Sequence, residues 1–591
     1  MIGALLVLLT WALLLGVWMI VGAAATSPRI TANAGDLRTR LRRSIWWGFA
    51  LFTLAVLAVG IWFPLGSAQA LIVVVAILAP IAALGAVSLL RNEPHRKNTA
   101  TPSPIAAPSM LSRRLLAGAL AIAVVYLAWA ALGPVTNYDT GLYHLGAIRY
   151  AADYPTISGL ANLYFPFGYN NAQFPLAAFL GNGPWGGEGY RLLNGLLFAG
   201  LVADLFLRGR SRSLGTYVLL VGSVVVAIPM VALDDYWITS PTSDSSVFIL
   251  TMVAVVYLAD GLAKARSAPN KAGADLLVAL VLAVLTVTLR PLMAVFALAM
   301  LAVVIYVQLR KTPGAGRPRL PGRAWALWAG LAAALATVQS ARDYLLSGWL
   351  QYPLSLLPFN VPWRAPDPVW NRTPTLGAAR DPSDLWAATE GYAWIGPWLG
   401  RLPSQWEAYL LALLLLAAAV GLFTARGLIR LRVLVVALIP VIALDVLWFL
   451  ASPPSFRFAW GPLFALGVIP LGAALQAWHR ARTPRPTTLA TATMTVAALA
   501  VLAITAVTAI WRSDPQTRTT AVEWRLGGVA LSFPATPITE APVTERTLDS
   551  GLTVLIPTES DQCWANYPLC TAQLESTVAL RGADIAEGFA P

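Results

Sequence analysis

Fourteen times along this chain a run of about twenty residues is almost wholly apolar, the length an α-helix needs to cross the hydrocarbon core of a bilayer. No other property limits the available folds so strongly. A backbone in lipid must satisfy its own hydrogen bonds, and outside closed barrels only helices do so. The runs fall at 2–25, 45–66, 68–90, 115–133, 190–207, 214–233, 244–263, 273–289, 292–309, 324–341, 408–424, 433–451, 459–477 and 488–511. A composition of 58% hydrophobic and 12% charged residues agrees, since a water-soluble domain carries roughly 25% charged residues. The expected fold is an all-α polytopic membrane protein of about fourteen transmembrane helices. The runs flanking Arg290 and Pro291 read as two helices, because one helix over 273–309 would be about 55 Å long.

Basic residues set the orientation. Alternate loops at 26–44, 91–114, 208–213, 264–272, 310–323, 425–432 and 478–487 hold 27 of the 41 Lys and Arg residues, including all four lysines. With these loops cytoplasmic, every span alternates and both termini lie outside. The net charge of +13 thus falls in short clumps between spans, not on one clustered face, which argues against a nucleic-acid partner. Ala23-Ala24-Ala25 resembles a signal-peptide cleavage site. The run before it has no basic residue, however, and five arginines follow between Arg29 and Arg43, so the first span reads as a retained helix. Abundant alanine and a preference for arginine over lysine point to a GC-rich bacterial source, and so to a bacterial cytoplasmic (inner) membrane.

The chain then divides into N-terminal accessory transmembrane helices at 1–97, a cytoplasmic linker at 98–114, a transmembrane core at 115–511 and an extracytoplasmic tail at 512–591. Two further long segments of the core, 134–189 and 340–407, fall outside, and with the tail they carry most of the acidic residues. Function is expected at that outer interface. Asp139 stands just beyond the fourth span, ahead of Leu142, Leu145 and Ile148 on one side of a helix lying along the interface. A carboxylate there can act as general base for a hydroxyl arriving from outside, or it can cap the interfacial helix. Asp244 opens the seventh span, where capping is the plainer reading. Asp234 and Asp235 could offer oxygen ligands to a divalent cation, a weak signal. Arg290, Arg342 and Arg457 lie at the outer ends of spans, where an arginine is costly and tends to have a partner. They suit a bidentate phosphate site or snorkelling to headgroups. Asp204 and Asp445, inside spans, read as interhelical hydrogen-bonding groups. Cys563 and Cys570 are close enough for a short disulfide loop in an oxidising compartment, and their spacing is not that of a redox or zinc CxxC.

Several segments together resemble the GT-C superfamily of membrane glycosyltransferases, and within it a group of bacterial multi-pass proteins. They are Tyr138-Asp139-Thr140-Gly141-Leu142-Tyr143-His144, Ser240-Pro241-Thr242-Ser243-Asp244, Arg342-Asp343-Tyr344 through Gly348 with Tyr352-Pro353, Pro454-Ser455-Phe456-Arg457-Phe458, Cys563-Trp564 with Cys570-Thr571, and Gly588-Phe589. The likeness covers about 115 to the C-terminus and leaves the first three helices outside. It implies a GT-C-like fold with outer-face interfacial helices and a small tail domain. It also implies an enzyme that takes a sugar from a polyprenyl-phosphate donor held in the lipid and passes it to a glycan, lipid or protein acceptor. Asp139 would be the catalytic base, with His144, Asp244, Arg290, Arg342, Tyr352 and Arg457 as substrate-binding residues and Arg342 the foremost phosphate arginine. Many members of the superfamily pair two acids at the first site, whereas here Thr140 follows Asp139. A metal requirement therefore stays open, a divalent cation being the one cofactor to consider.

Two other activities fit parts of the pattern. A polysaccharide polymerase or ligase would share the outer arginines without needing an acid beyond a helix end. A lipid-linked sugar transporter or flippase would need polar residues lining the spans at midplane, and few are present. The topology is checked directly: reporter fusions at positions 100, 210 and 315 should report cytoplasm, and those at 160, 380 and 550 the opposite side. A cytoplasmic signal at 550 contradicts the scheme.

Overall fold

The computed structural model describes residues 2–31, 35–91, 107–209, 211–232, 239–310, 320–481, 484–511, 520–526, 529–573 and 577–591. Asp234, Asp235 and the first part of the 98–114 linker lie outside the described residues. Fourteen helices among those described are long and apolar enough to cross a membrane. We label them α1 (Ile2–Ala25), α2 (Leu37–Val59), α3 (Ala68–Leu90), α4 (Ala107–Ala130), α5 (Leu193–Arg208), α6 (Leu214–Ala232) and α7 (Ser243–Ser267). The second half comprises α8 (Pro269–Leu289), α9 (Ala294–Leu309), α10 (Gly322–Ser347), α11 (Trp406–Thr424), α12 (Leu431–Ala451), α13 (Trp460–Arg480) and α14 (Pro484–Trp511). The split at Arg290 is as expected: Arg290 is extended, and a single 3₁₀ turn at Pro291–Met293 leads into α9.

Burial sorts the helices into two shells. In α2, α5, α6, α7, α8 and α13 between 83% and 94% of the apolar window is enclosed by other parts of the protein, whereas the remaining eight leave more than half of theirs uncovered. The outer shell therefore presents side chains such as Leu13, Ile72, Leu298, Leu416 and Val446 to its surroundings, the face a helix turns to lipid. The central place of α2, within the stretch the sequence reads as accessory, comes from its contacts with α1, α5 and α8.

The largest departure from expectation is also in α2. Hydropathy places this span at 45–66, with 26–44 a basic loop. The helix instead starts at Leu37, capped by Asp36, whose side chain accepts from the Thr39 amide, and it stops at Val59. Arg40, Arg42 and Arg43 are buried inside it. Arg40 donates to the carbonyl and the hydroxyl of Ser88 in α3 at 3.1 and 2.7 Å, and a set of acids supplied by three other helices makes the remaining charges tolerable. Asp275 of α8 accepts from Arg43 Nε at 2.8 Å and Arg42 Nη2 at 3.3 Å, and it also pairs with Lys264 of α7. Arg208 of α5 bonds Asp204 at 2.7 Å and Asp260 of α7 at 2.7 Å. Asp204 Oδ2 accepts in addition from Trp46 Nε1 at 2.8 Å and Tyr257 OH at 2.6 Å. The guanidinium groups of Arg42 and Arg208 flank the Tyr257 ring at 5.0 and 5.3 Å. Asp204 thus takes the interhelical hydrogen-bonding role expected of it.

At the other end of the helices, the segments 131–192 and 348–405 meet the C-terminal tail, and 452–459 meets the first of these through Arg457 and Asp139. Among its described residues the tail has no α-helix. It contributes three two-stranded antiparallel sheets, β3 (Thr520–Leu526) with β4 (Val529–Ala535), β5 (Val543–Thr547) with β6 (Thr553–Pro557), and β7 (Ala579–Leu580) with β8 (Phe589–Ala590), while β1 (Trp349–Gln351) and β2 (Leu356–Pro358) form a fourth after α10. The tail is fastened to the loops by backbone: Thr536 N donates to Leu132 O at 3.0 Å and Phe589 N to Ser158 O at 2.9 Å. Gly588, at φ +97°, could not carry a Cβ, which would lie 2.2 Å from Ser158 O.

Removing one acid from the buried network leaves its cations without a counter-charge, which costs about 3–5 kcal/mol. Asp275→Ala should therefore lower the thermal midpoint of the detergent-purified protein strongly. Asp367→Ala, at an exposed loop acid, should leave it unchanged. Equal midpoints for the two variants would show that the network does not hold the bundle together.

Candidate functional site

The segment that follows α4 carries most of the site. Asp139 precedes a π-helical turn, Thr140–His144, which passes into the helix Leu145–Asp153. Such turns are uncommon and concentrate at functional sites. Asp139 does not cap: its side chain takes no hydrogen bond from the turn. Its Oδ2 instead accepts from Arg457 Nη1 at 2.8 Å, with the acid side chain 20% and the arginine 34% exposed. Arg457 stands on a 3₁₀ turn, Phe456–Phe458, between α12 and α13. Burial opposes its charge, but Asp139 and then Asp244 outweigh it and hold the guanidinium pKa above its usual value.

A second ion pair adjoins the first. Asp244 lies in the first turn of α7, where the cap is Thr242, not Asp244. The carboxylate is thus free to pair with Arg290, from the break between α8 and α9. Arg290 Nη1 also donates to the carbonyl of Phe458 at 3.1 Å and that of Arg457 at 3.4 Å. Both guanidinium groups lie against the Phe458 ring, at 4.8 and 5.2 Å. His144 links the first segment to the start of α7: its Nδ1 is 3.3 Å from Thr140 Oγ1, which is 2.8 Å from Ser240 Oγ. Burial lowers the His144 pKa to about 4, so the ring is neutral near pH 7 and serves as a hydrogen-bonding post.

Five of the expected residues, Asp139, His144, Asp244, Arg290 and Arg457, therefore share one region, where two acids and two arginines alternate. Arg342 and Tyr352 lie elsewhere. Arg342 is buried inside α10 and committed to Asn170 Oδ1 at 3.0 Å and Thr156 Oγ1 at 2.8 Å. It borders a cavity of about 30 Å³ shared with Tyr150, Tyr169, Asn171 and Phe174, room for a water molecule and not for a sugar. Tyr352 is buried with Trp349, Ala161 and Ala365. The partner that Asp139 meets is Arg457. Asp445 departs from its expected interhelical bond: among the described residues its carboxylate oxygens have no partner, and it faces an apolar recess of about 350 Å³ beside Phe449 and Leu466.

Sequence reasoning missed Glu407. It is buried in the first turn of α11, Oε1 accepts from Trp460 Nε1 at 3.1 Å, and its charge faces Arg457. An acid at the start of an apolar helix reads as a partner of the helix dipole, and nothing in the sequence brings it near residue 457. Among the described residues, no group of three His, Cys, Asp or Glu side chains is placed to hold a metal ion.

The tail closes over this region. Cys563 and Cys570 form the expected disulfide, with Cα atoms 5.9 Å apart. The loop they close grips the Asp139 segment: the amides of Cys563 and Trp564 donate to Gly141 O at 2.9 and 3.1 Å, and Gln562 Nε2 donates to Tyr138 O at 2.7 Å. Asp561 accepts from Tyr138 OH, and Arg149 reaches Ala565 O at 2.5 Å. A Cβ on residue 141 would lie 2.4 Å from the Trp564 ring, so glycine is required by the closeness of the indole.

These features define a mostly helical, polytopic protein with a paired-charge site where loops and tail meet. Over residues 4–464 the chain matches the family described as a domain of unknown function, DUF8201, and it belongs to that family. No curated protein and no solved structure matches it.

Gly141→Ala should push the Trp564 indole away and loosen the disulfide loop, read as faster hydrogen exchange at residues 561–570. Trp564→Ala in the same chain removes the obstacle and should restore part of the protection. Unchanged exchange in Gly141→Ala would mean that the loop is held by other contacts.

Proposed function

We propose that the protein is a GT-C-like glycosyltransferase, transferring a sugar from a polyprenyl phosphate to a hydroxyl acceptor on the extracytoplasmic face of a bacterial membrane. The observation that carries this reading is the pairing of Asp139 with Arg457 at the end of the bundle, beside a second arginine, Arg290. A base and an anion-binding group side by side are what such a transfer needs. As the acceptor oxygen attacks the anomeric carbon, Asp139 takes the hydroxyl proton. The bond from that carbon to the phosphate oxygen breaks with inversion, and the polyprenyl phosphate leaves with the electron pair. Its charge is met by Arg457 and Arg290, so no general acid is required. The apolar outer shell of helices supports a donor whose chain stays in lipid while its headgroup reaches the loops. Arg342 is assigned a supporting part, holding Asn170 and Thr156.

In proteoliposomes supplied with a panel of polyprenyl-phosphate sugars, Asp139→Asn should bind donor at least as tightly as the unmodified protein and lose turnover by roughly two or more orders of magnitude. Arg457→Ala should raise KM as well as lower kcat, because it meets the phosphate before and during transfer. An Asp139→Asn variant that transfers sugar at the normal rate would remove Asp139 as the base.

A further inference from the structure

Each arginine of the site already has an aspartate partner, Arg457 with Asp139 and Arg290 with Asp244, so an arriving phosphate finds no unpaired cation there. One pair has to open. The two pairs are not alike: Asp244 and Arg290 are 4% and 16% exposed, whereas Asp139 and Arg457 are 20% and 34% exposed. Arg290 is further tied down by the carbonyls of Arg457 and Phe458. The same two bonds pin the backbone of the Phe456–Phe458 turn, and among the described residues the Arg457 side chain is held only by Asp139 and the face of the Phe458 ring. Asp139 cannot follow it, since Tyr138 O and Gly141 O on either side are held by the disulfide loop.

We infer that the Asp139–Arg457 bond is exchanged on donor binding: the lipid phosphate takes Arg457, and this release frees Asp139 Oδ2 to accept the proton of the acceptor hydroxyl. The inference rests on the glycosyl-transfer reading and adds an order of events to it. Without donor, the lone pair of Asp139 that faces Arg457 is occupied by an N–H and is closed to an acceptor hydroxyl or to water. A phosphate offers Arg457 a bidentate partner of equal or greater charge, so the arginine moves and the carboxylate stays. The Oδ2 position that faces Arg457 thus opens to the acceptor only when a donor phosphate has taken the arginine.

This arrangement makes Asp139 a competitor of the phosphate for Arg457, which a plain catalytic base would not be. The test is a titration of decaprenyl phosphate into the detergent-purified full chain, followed by native mass spectrometry. Relative to the unmodified protein, Asp139→Asn should bind roughly two- to fivefold more tightly, the range set by the worth of a partly exposed ion pair. Arg457→Gln should bind at least about tenfold more weakly. The double variant should bind like Arg457→Gln, since the gain from losing Asp139 acts through Arg457. Retention of the native elution volume and thermal midpoint by each variant keeps the comparison one of folded proteins, and Arg457→Lys replaces Arg457→Gln if the latter does not fold. Unchanged affinity in Asp139→Asn, with loss in Arg457→Gln, overturns the exchange and leaves the proposed function standing. Equal tightening by Asp139→Asn in the presence and absence of Arg457 overturns it as well. Equal binding by the unmodified protein and Arg457→Gln overturns both.

Discussion

Charge burial is the constraint on which this architecture turns. Three carboxylates, three guanidinium groups and the Lys264 amine are drawn together by α2, α5, α7 and α8, all buried except the amine, which is partly exposed. In a low-dielectric interior each of these charges is tolerable only with its partners in place, so the network fixes the register of four central helices against one another. α7 and α8 then act as rods. From Asp260 back to Asp244, and from Asp275 on to Leu289, each runs on the order of 21–24 Å. The positions of Asp244 and Arg290 at the site are consequences of pairing decided at the opposite end.

Much of the helical layout was legible because hydropathy over about twenty residues is a one-dimensional signal. It failed at α2 for a physical reason. Arg40, Arg42 and Arg43 look like the edge of a membrane span when each is charged at its full cost in lipid, but Asp275 and Asp260, more than 200 residues away, offset that cost for Arg42 and Arg43, and Ser88 binds Arg40. The same limit governs the site. Position alone marked Asp139, Asp244, Arg290 and Arg457, since a charge at a span end calls for a reason. Which acid meets which arginine is set by packing. The sequence reading puts Arg342 ahead of Arg457 as the phosphate arginine, yet Arg342 lies inside a helix against Asn170 and Arg457 on a partly open turn. The strands of the tail had local signals that the helical reading passed over, among them Gly527-Gly528 and Asp549-Ser550-Gly551 between β-branched runs.

The short segments on which the GT-C likeness rests are scattered through some 450 residues, and the fold gathers most of them. Thr140 meets Ser240, Asp139 meets Arg457, Gly141 meets Trp564, and the Gly159 amide beside Phe589 donates to Leu345 O in the Arg342 segment. The first three contacts meet at the Asp139 segment, while the fourth ties the Arg342 segment to the turn at Gly159, apart from the paired charges. The helices around them serve as a frame, and the helix ends and the loops between them carry the paired charges.

The grip of the disulfide loop on the Asp139 segment joins residues 423 apart in the chain, Tyr138 and Asp561. Asp561 is made long after Tyr138. All fourteen candidate membrane helices precede Cys563 and Trp564 in the chain, and can be inserted before those residues exist to hold Gly141. A chain interrupted before Cys563 would yield an inserted bundle whose Asp139 segment lacks its clamp. Synthesis of the tail is itself the step that fastens that segment.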